Sequence, residues 1–274
     1  MKHHTRWFAI VGLMVSGLCH GQCARAAPDK ILLADVRPRP PEMVVNETTG
    51  ENSGPLLVVL MEAARSIGYC VEWRVAPFPR SLAEIESGSV DIVPRLVVTD
   101  ERKRFVQFLG PIGVKQTAIE FLLKRARTGA LTSYEDLHRL TVGVKRGTAY
   151  FESFDKDTRI RRMEALDDEN LAKMFQANRI DTMAVLDRAA IEKVLQELGI
   201  EDFAWAPYKV PFKLGIYFGM SKASKHIGVA GALSNALQAM ARTGRIRAIY
   251  AVYGVEAPDA TEPSPRKAKA RASP

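Results

Sequence analysis

From Lys30 onward, short apolar runs alternate with segments whose apolar residues recur every three or four positions. Ile31-Leu32-Leu33-Ala34, Val71 to Val75 and Val90 to Val93 each predict a strand. Between the first two, Pro55 suits the first position of a helix, where the missing N–H costs nothing. Leu56, Leu57, Leu60, Ala64 and Ile67 then share one face, and Gly68 ends the helix. Ser81 followed by Glu84 reads as a capping box for a short helix that turns Leu82 and Ile85 inward and stops at Gly88. After a break at Gly110-Pro111 the pattern restarts. Strands are predicted at Ile119 to Leu123, Leu140 to Val144 and Asp181 to Val185, with helices at Asp168 to Ala177 and Arg188 to Leu198. Ser133 with Asp136 caps a further short helix, and a strand at Gly215 to Met220 leads into helices at Val229–Arg242 and Ile246–Val252. Strand–helix alternation of this kind implies right-handed crossovers and largely parallel sheets. The fold class is α/β, with two units in series and no internal repeat.

The first residues follow a different rule. Lys2 and Arg6 precede an uncharged apolar run, Trp7 to Cys19, too short to cross about 30 Å of hydrocarbon as a helix. Ala24-Arg25-Ala26 supplies small residues for a cleavage site, so residues 1–26 read as a signal peptide. On that reading Cys19 and Cys23 leave with the leader, and Cys70 remains alone, unable to form an internal disulfide. The leader and the tail hold about half of the formal +8 charge, leaving about +4 on residues 27–255. No basic stripe or aromatic-rich motif accompanies it, which argues against nucleic-acid binding. Residues 257–274, rich in Ala, Pro, Ser, Lys and Arg, read as a disordered basic tail.

Four stretches carry chemistry. They are Pro77 through Asp91; Thr99-Asp100-Glu101-Arg102 with Phe105-Val106-Gln107-Phe108; Val142 through Thr148; and Gly219 through Tyr250. In this order and spacing they resemble the extracellular solute-binding proteins of family 3, the periplasmic receptors of polar amino acid ABC transporters. The resemblance spans about residues 30–254. It implies a type II periplasmic binding fold: two α/β lobes joined by two hinge strands, with the ligand between them. Lobe 1 would comprise residues 28–115 and 213–256, and lobe 2 residues 116–212. The implied partners are a small-molecule ligand (an amino acid or organic acid) and an inner-membrane ABC permease. The chain would be a periplasmic monomer with no cofactor.

Site residues follow in the same way. Arg102 matches the family's carboxylate-binding arginine, and its planar fork suits bidentate pairing. Gly147 and Thr148 end a strand, and with a helix opening at Ala149 their free N–H groups and hydroxyl suit an anion. Phe78 stands where the family often sets an aromatic against the ligand. Asp187 lies near the family's ammonium-binding aspartate, although Leu186 competes for that place. Arg80 and Arg95 are further candidate cations. Two departures stand out: Pro94, Arg95, Leu96 and Val97 replace the family's hydroxyl residues, and Arg37-Pro38-Arg39-Pro40-Pro41 replaces an aromatic near the first strand. So many arginines suggest a ligand more negative than a neutral amino acid. The rival classes are an enzyme on the same fold, similar to cyclohexadienyl dehydratases, and a receptor feeding a sensor kinase. Only His138 and His226 lie outside the leader, which disfavours a zinc site or proton relay.

Overall fold

The computed structural model describes residue 23, residues 27–46 and residues 48–259. Residues 1–22, 24–26, 47 and 260–274 lie outside them, and with them most of the expected signal peptide and of the expected tail. Among the described residues no helix is long and apolar enough to cross a membrane.

Two five-stranded sheets form the framework. In the first, β1 (Ile31–Val36) lies between β4 (Cys70–Val75) and β5 (Ile92–Pro94), parallel to both. Next to β5 comes β12 (Phe218–Ser221), antiparallel to it, and then β6 (Val106–Leu109) at the edge. The short β2 (Val44–Val45) and β3 (Asn52–Ser53) pair separately. Leu32, Ala34 and Val36 are buried between helices α1 (Pro55–Ser66), α6 (Ala230–Arg242) and α7 (Arg245–Val252) and the sheet. Helix α2 (Phe78–Ser87) covers the opposite face through Ile85. The C-terminal helices therefore pack with the first part of the chain.

The second sheet runs β11 (Ala204–Gly215), β7 (Val114–Leu123), β10 (Thr182–Val185), β8 (Thr141–Lys145), β9 (Arg161–Ala165). β8, β9 and β10 are mutually parallel, whereas β7 opposes both its neighbours. Helices α4 (Asp168–Gln176) and α5 (Arg188–Glu197) bury Leu171, Phe175, Ile191 and Leu195 on one face. Short 3-10 turns and α3 (Glu152–Lys156) cover the other with Leu137 and Phe154. The chain passes between sheets twice, through residues 110–113 and 216–217, and Ile112 and Ile216 tie the two passages together by a 2.9 Å hydrogen bond.

Most expected elements form, with informative exceptions. The Ser81–Glu84 capping box does not: α2 starts at Phe78, Ser81 is buried inside it, and Glu84 instead receives Arg74 and Arg80. Pro79 in the first turn starts that helix without a side-chain cap, since the proline ring already fixes φ. The predicted helix at Ala149 begins only at Glu152 and has five residues, so Gly147 and Thr148 sit in an irregular loop rather than at a helix N-terminus. The expected strand at Gly215 to Met220 is split by the second passage. The tail also starts later than residue 257: Asp259 exchanges backbone hydrogen bonds of 2.7 and 2.8 Å with Val114.

The cysteine expectation is overturned. Cys70 is disulfide-bonded to Cys23, with Cα atoms 5.6 Å apart, so an internal disulfide does form in the full chain and persists wherever Cys23 is retained. The bond staples the chain's start to the edge strand β4, 47 residues away in sequence. A loop of this length should contribute about 2–4 kcal/mol. Cys70→Ala is therefore expected to lower Tm under oxidising conditions and to abolish the response to reductant. Equal melting of variant and parent would show that the exported chain lacks the bond.

Candidate functional site

Strand ends from both sheets converge on one cavity of about 680 Å³. From the first sheet come the segment after β1 (37–40), the loop into α2 (75–78) and the loop after β5 (95–97), with Arg102 behind it. The second sheet contributes Lys145, Arg146, Thr148 and Ala149 at and after the end of β8, 166–169 at the start of α4, and Leu186 after β10. A crevice at the carboxyl ends of strands is where open α/β sheets place their ligands, because loops from several strands meet there. Its size falls in the range of small-molecule sites.

Cations dominate the first-sheet wall. Arg102 is buried, and its guanidinium donates to Val97 O at 2.8 Å and across the cleft to Gly147 O at 2.5 Å. Phe78 serves as a platform: the guanidinium of Arg37 lies 4.3 Å and that of Arg102 5.7 Å from its ring centroid. Arg37 also donates to Pro94 O at 3.2 Å. Desolvation, reinforced by Arg39, Arg95 and Arg102, pushes the Arg37 pKa down to about 9. Arg95, a non-glycine residue at φ 60°, turns inward to meet Glu42 at 2.7 Å. Burial and Arg39 push its pKa down to about 10 against the pull of Glu42. Glu42 itself is buried and also holds Lys115 at 3.0 Å.

The two walls touch. Arg39 crosses the cleft to Asp187 at 2.8 Å, while Asp187 also accepts the Ala190 N–H at 3.2 Å as the cap of α5. Gly147 has φ +74°, and a Cβ there would lie 2.7 Å from Leu82 Cδ1, so glycine permits the loop to approach α2. Lys145 pairs with Asp168 at 2.8 Å within the second wall.

Of the residues singled out by sequence, Phe78, Arg95, Arg102 and Thr148 line this cavity. Gly147 meets Arg102 across the cleft, and Asp187 meets Arg39. Arg80 is elsewhere: it is exposed on α2 and paired with Glu84 at 2.7 Å. Sequence reasoning noticed Arg37 and Arg39 only as part of an arginine excess and missed Glu42, the acid that gathers Arg95 and Lys115. For the two arginines, the alternating Arg-Pro-Arg-Pro-Pro run immediately after the first strand was the available signal. Among the described residues no group of three or more His, Cys, Asp or Glu is placed to hold a metal ion.

Comparison with known proteins agrees with this architecture. The chain belongs to the bacterial extracellular solute-binding proteins, family 3, whose model matches residues 33–256. It is similar to the L-cystine-binding protein TcyJ of Escherichia coli K12, 25% identical over 198 residues, covering 68% of this chain and 74% of TcyJ. It is likewise similar to the probable amino-acid-binding protein YxeM of Bacillus subtilis, 25% identical over 205 residues, covering 72% of this chain and 74% of YxeM. Among solved structures, a histidine kinase sensor domain similar to periplasmic binding proteins matches with TM-score 0.66 and 17% identity, over 84% of this chain and 98% of that one. An ancestral arginine-binding protein bound to arginine matches with TM-score 0.65 and 19% identity, over 82% and 98% respectively. The fold is that of the type II periplasmic binding proteins.

Proposed function

We propose that this chain is an exported periplasmic receptor that closes two lobes, 28–115 with 213–256 and 116–212, around a small carboxylate-bearing solute. The captured solute would be handed, by a monomer, to an ABC-type permease. One observation carries the reading: Arg37, Arg39, Arg95 and Arg102 converge on a single cavity between two sheets. A carboxylate entering there can take over the place of the Gly147 carbonyl at the Arg102 fork, with the Thr148 hydroxyl facing it from the other lobe. Phe78 packs beside the guanidiniums of Arg37 and Arg102, whose planar forks suit a bidentate contact. The binding reading is favoured over an enzymatic one because neither of the carboxylates weighed as a general acid lines the cavity: Glu120 pairs with Arg188, and Glu152 with Lys156. Export requires the leader to be cut ahead of Cys23 if the disulfide is to survive in the mature chain.

Ligand binding should raise stability by RT ln(1 + [L]/Kd), about 2.7 kcal/mol at a hundredfold excess over Kd. A thermal-shift screen of amino acids, dicarboxylates, sugars and polyamines is expected to give hits only among carboxylates. Hits confined to sugars or polyamines would overturn the reading. With a confirmed hit, small-angle scattering should show a smaller radius of gyration if solute stabilises the closed state. A second reading, in which the same binding event is reported to a kinase, draws on the likeness to the sensor domain. Permease and ATPase genes beside this chain's gene would favour transport.

A further inference from the structure

We propose that the cleft selects an organic dianion, with two carboxylates and no ammonium group, over an α-amino acid. This rests on the carboxylate-binding reading above and names its ligand class. Three observations carry it.

The first is that the position expected to receive an ammonium is already taken. Asp187 is paired with Arg39 from the opposite wall at 2.8 Å, and its other role is to cap α5. A guanidinium of the protein thus stands where a ligand's cationic end would have to bind. The acids that line the cavity are engaged as well. Asp168 holds Lys145, Asp167 caps α4 through the Asn170 N–H, Glu169 holds Lys173, and Glu197 pairs with Lys193.

The second is an excess of cations on the facing wall. Arg39 and Arg95 have Asp187 and Glu42 as partners, and Glu42 is shared with Lys115. Arg37 has no carboxylate within 4.0 Å among the described residues, only the Pro94 carbonyl and the face of Phe78. Asp35, on the same strand end, pairs with Arg74 at 2.7 Å through Oδ1 and acts on Arg37 only from beyond ion-pair distance.

The third is spacing. Arg37 and Arg102 both lie against the one ring of Phe78, which makes them neighbouring cations at one end of the cavity. Two carboxylates can share such a wall, whereas an ammonium brought against it meets like charge in a poorly solvated site. The lowered Arg37 pKa follows from burial first and from the neighbouring guanidiniums second, against the pull of Asp35.

Calorimetric titration of the exported chain with 2-oxoglutarate, succinate, L-glutamate and L-glutamine tests this directly. 2-Oxoglutarate and L-glutamate share a skeleton and differ in having a keto group or an ammonium. The keto acid, or succinate, is expected to bind at least about tenfold more tightly than either amino acid. Arg37→Gln is expected to weaken dianion binding by about tenfold or more. Arg39→Ala, which releases Asp187, should shift the glutamate-to-2-oxoglutarate preference by about tenfold toward glutamate. Glutamate or glutamine binding as tightly as the dianions would overturn the inference and leave the carboxylate reading standing. Binding of none of the four, together with a sugar or polyamine hit, would overturn both.

Discussion

Replacing Arg102 by alanine is expected to lower ligand affinity by about 200- to 5,000-fold. The reason is its position. Arg102 is 6% exposed, behind the cavity and hydrogen-bonded to both walls through Val97 O and Gly147 O. A carboxylate closed into that space without the guanidinium is left buried and unpaired, a loss of about 3–5 kcal/mol. Arg102→Lys should also weaken binding, because an ammonium cannot reproduce two parallel hydrogen bonds. Calorimetry with the hit from the thermal screen measures both variants. If the folded alanine variant keeps its affinity, the carboxylate is held elsewhere in the cluster, at Arg37 or Arg95.

Glu42→Gln should be the most damaging single change to stability near the site. Its carboxylate is buried beneath the cleft wall, 2.7 Å from Arg95 and 3.0 Å from Lys115, with Arg39 at 3.9 Å. The amide has the same shape but no charge, so the buried Arg95 guanidinium loses its counter-ion. Breaking a buried pair from one side costs about 3–5 kcal/mol, which in a chain of this size lowers Tm by about 10 °C. Adding Arg95→Met to Glu42→Gln is expected to recover much of that loss, because the uncompensated charge goes with it. Thermal unfolding of the parent, the single and the double variant decides the matter. A single variant within about 1 kcal/mol of the parent would mean that water, rather than Glu42, compensates Arg95.

Local pattern made much of this fold legible in the sequence. The strands at residues 31–36 and 70–75 and the helix from Pro55 are set by apolar spacing and by a proline or glycine at their ends, and all form close to where the pattern places them. Where a local signal competed with tertiary contacts, the contacts won. Ser81 and Glu84 have capping-box spacing, yet Arg74 on β4 reaches Glu84 across the packed layer, and Phe78 with Pro79 begins the helix a turn earlier. Strand–Gly-Thr suggested a helix N-terminus, but the loop runs on to Phe151, whose ring is buried against Phe154, before turning. Two features were out of reach in principle. Glu42 has no sequence-local partner among its closest contacts, Arg95 and Lys115, so its role exists only once the sheets are assembled. The Cys23–Cys70 bond was hidden by the leader boundary, because Ala24-Arg25-Ala26 satisfies the cleavage rule whether or not it is used.

The two passages between the sheets have a mechanical meaning. They continue into β7 and β11, which pair from Val114↔Gly215 onward, so the connection is a two-ply strap rather than two independent strings. A strap of hydrogen-bonded strands yields to bending and twist but resists sliding of one ply along the other, since sliding would break the ladder rung by rung. The Ile112–Ile216 bond clamps the strap at its root. If the two sheets open and shut as proposed, the motion would follow nearly a single coordinate, along which the wall bearing Arg102 would return to the same Gly147 each time. The accuracy of the closed cleft is stored in the strap, and a softer joint there would blur recognition without altering any residue that touches the solute.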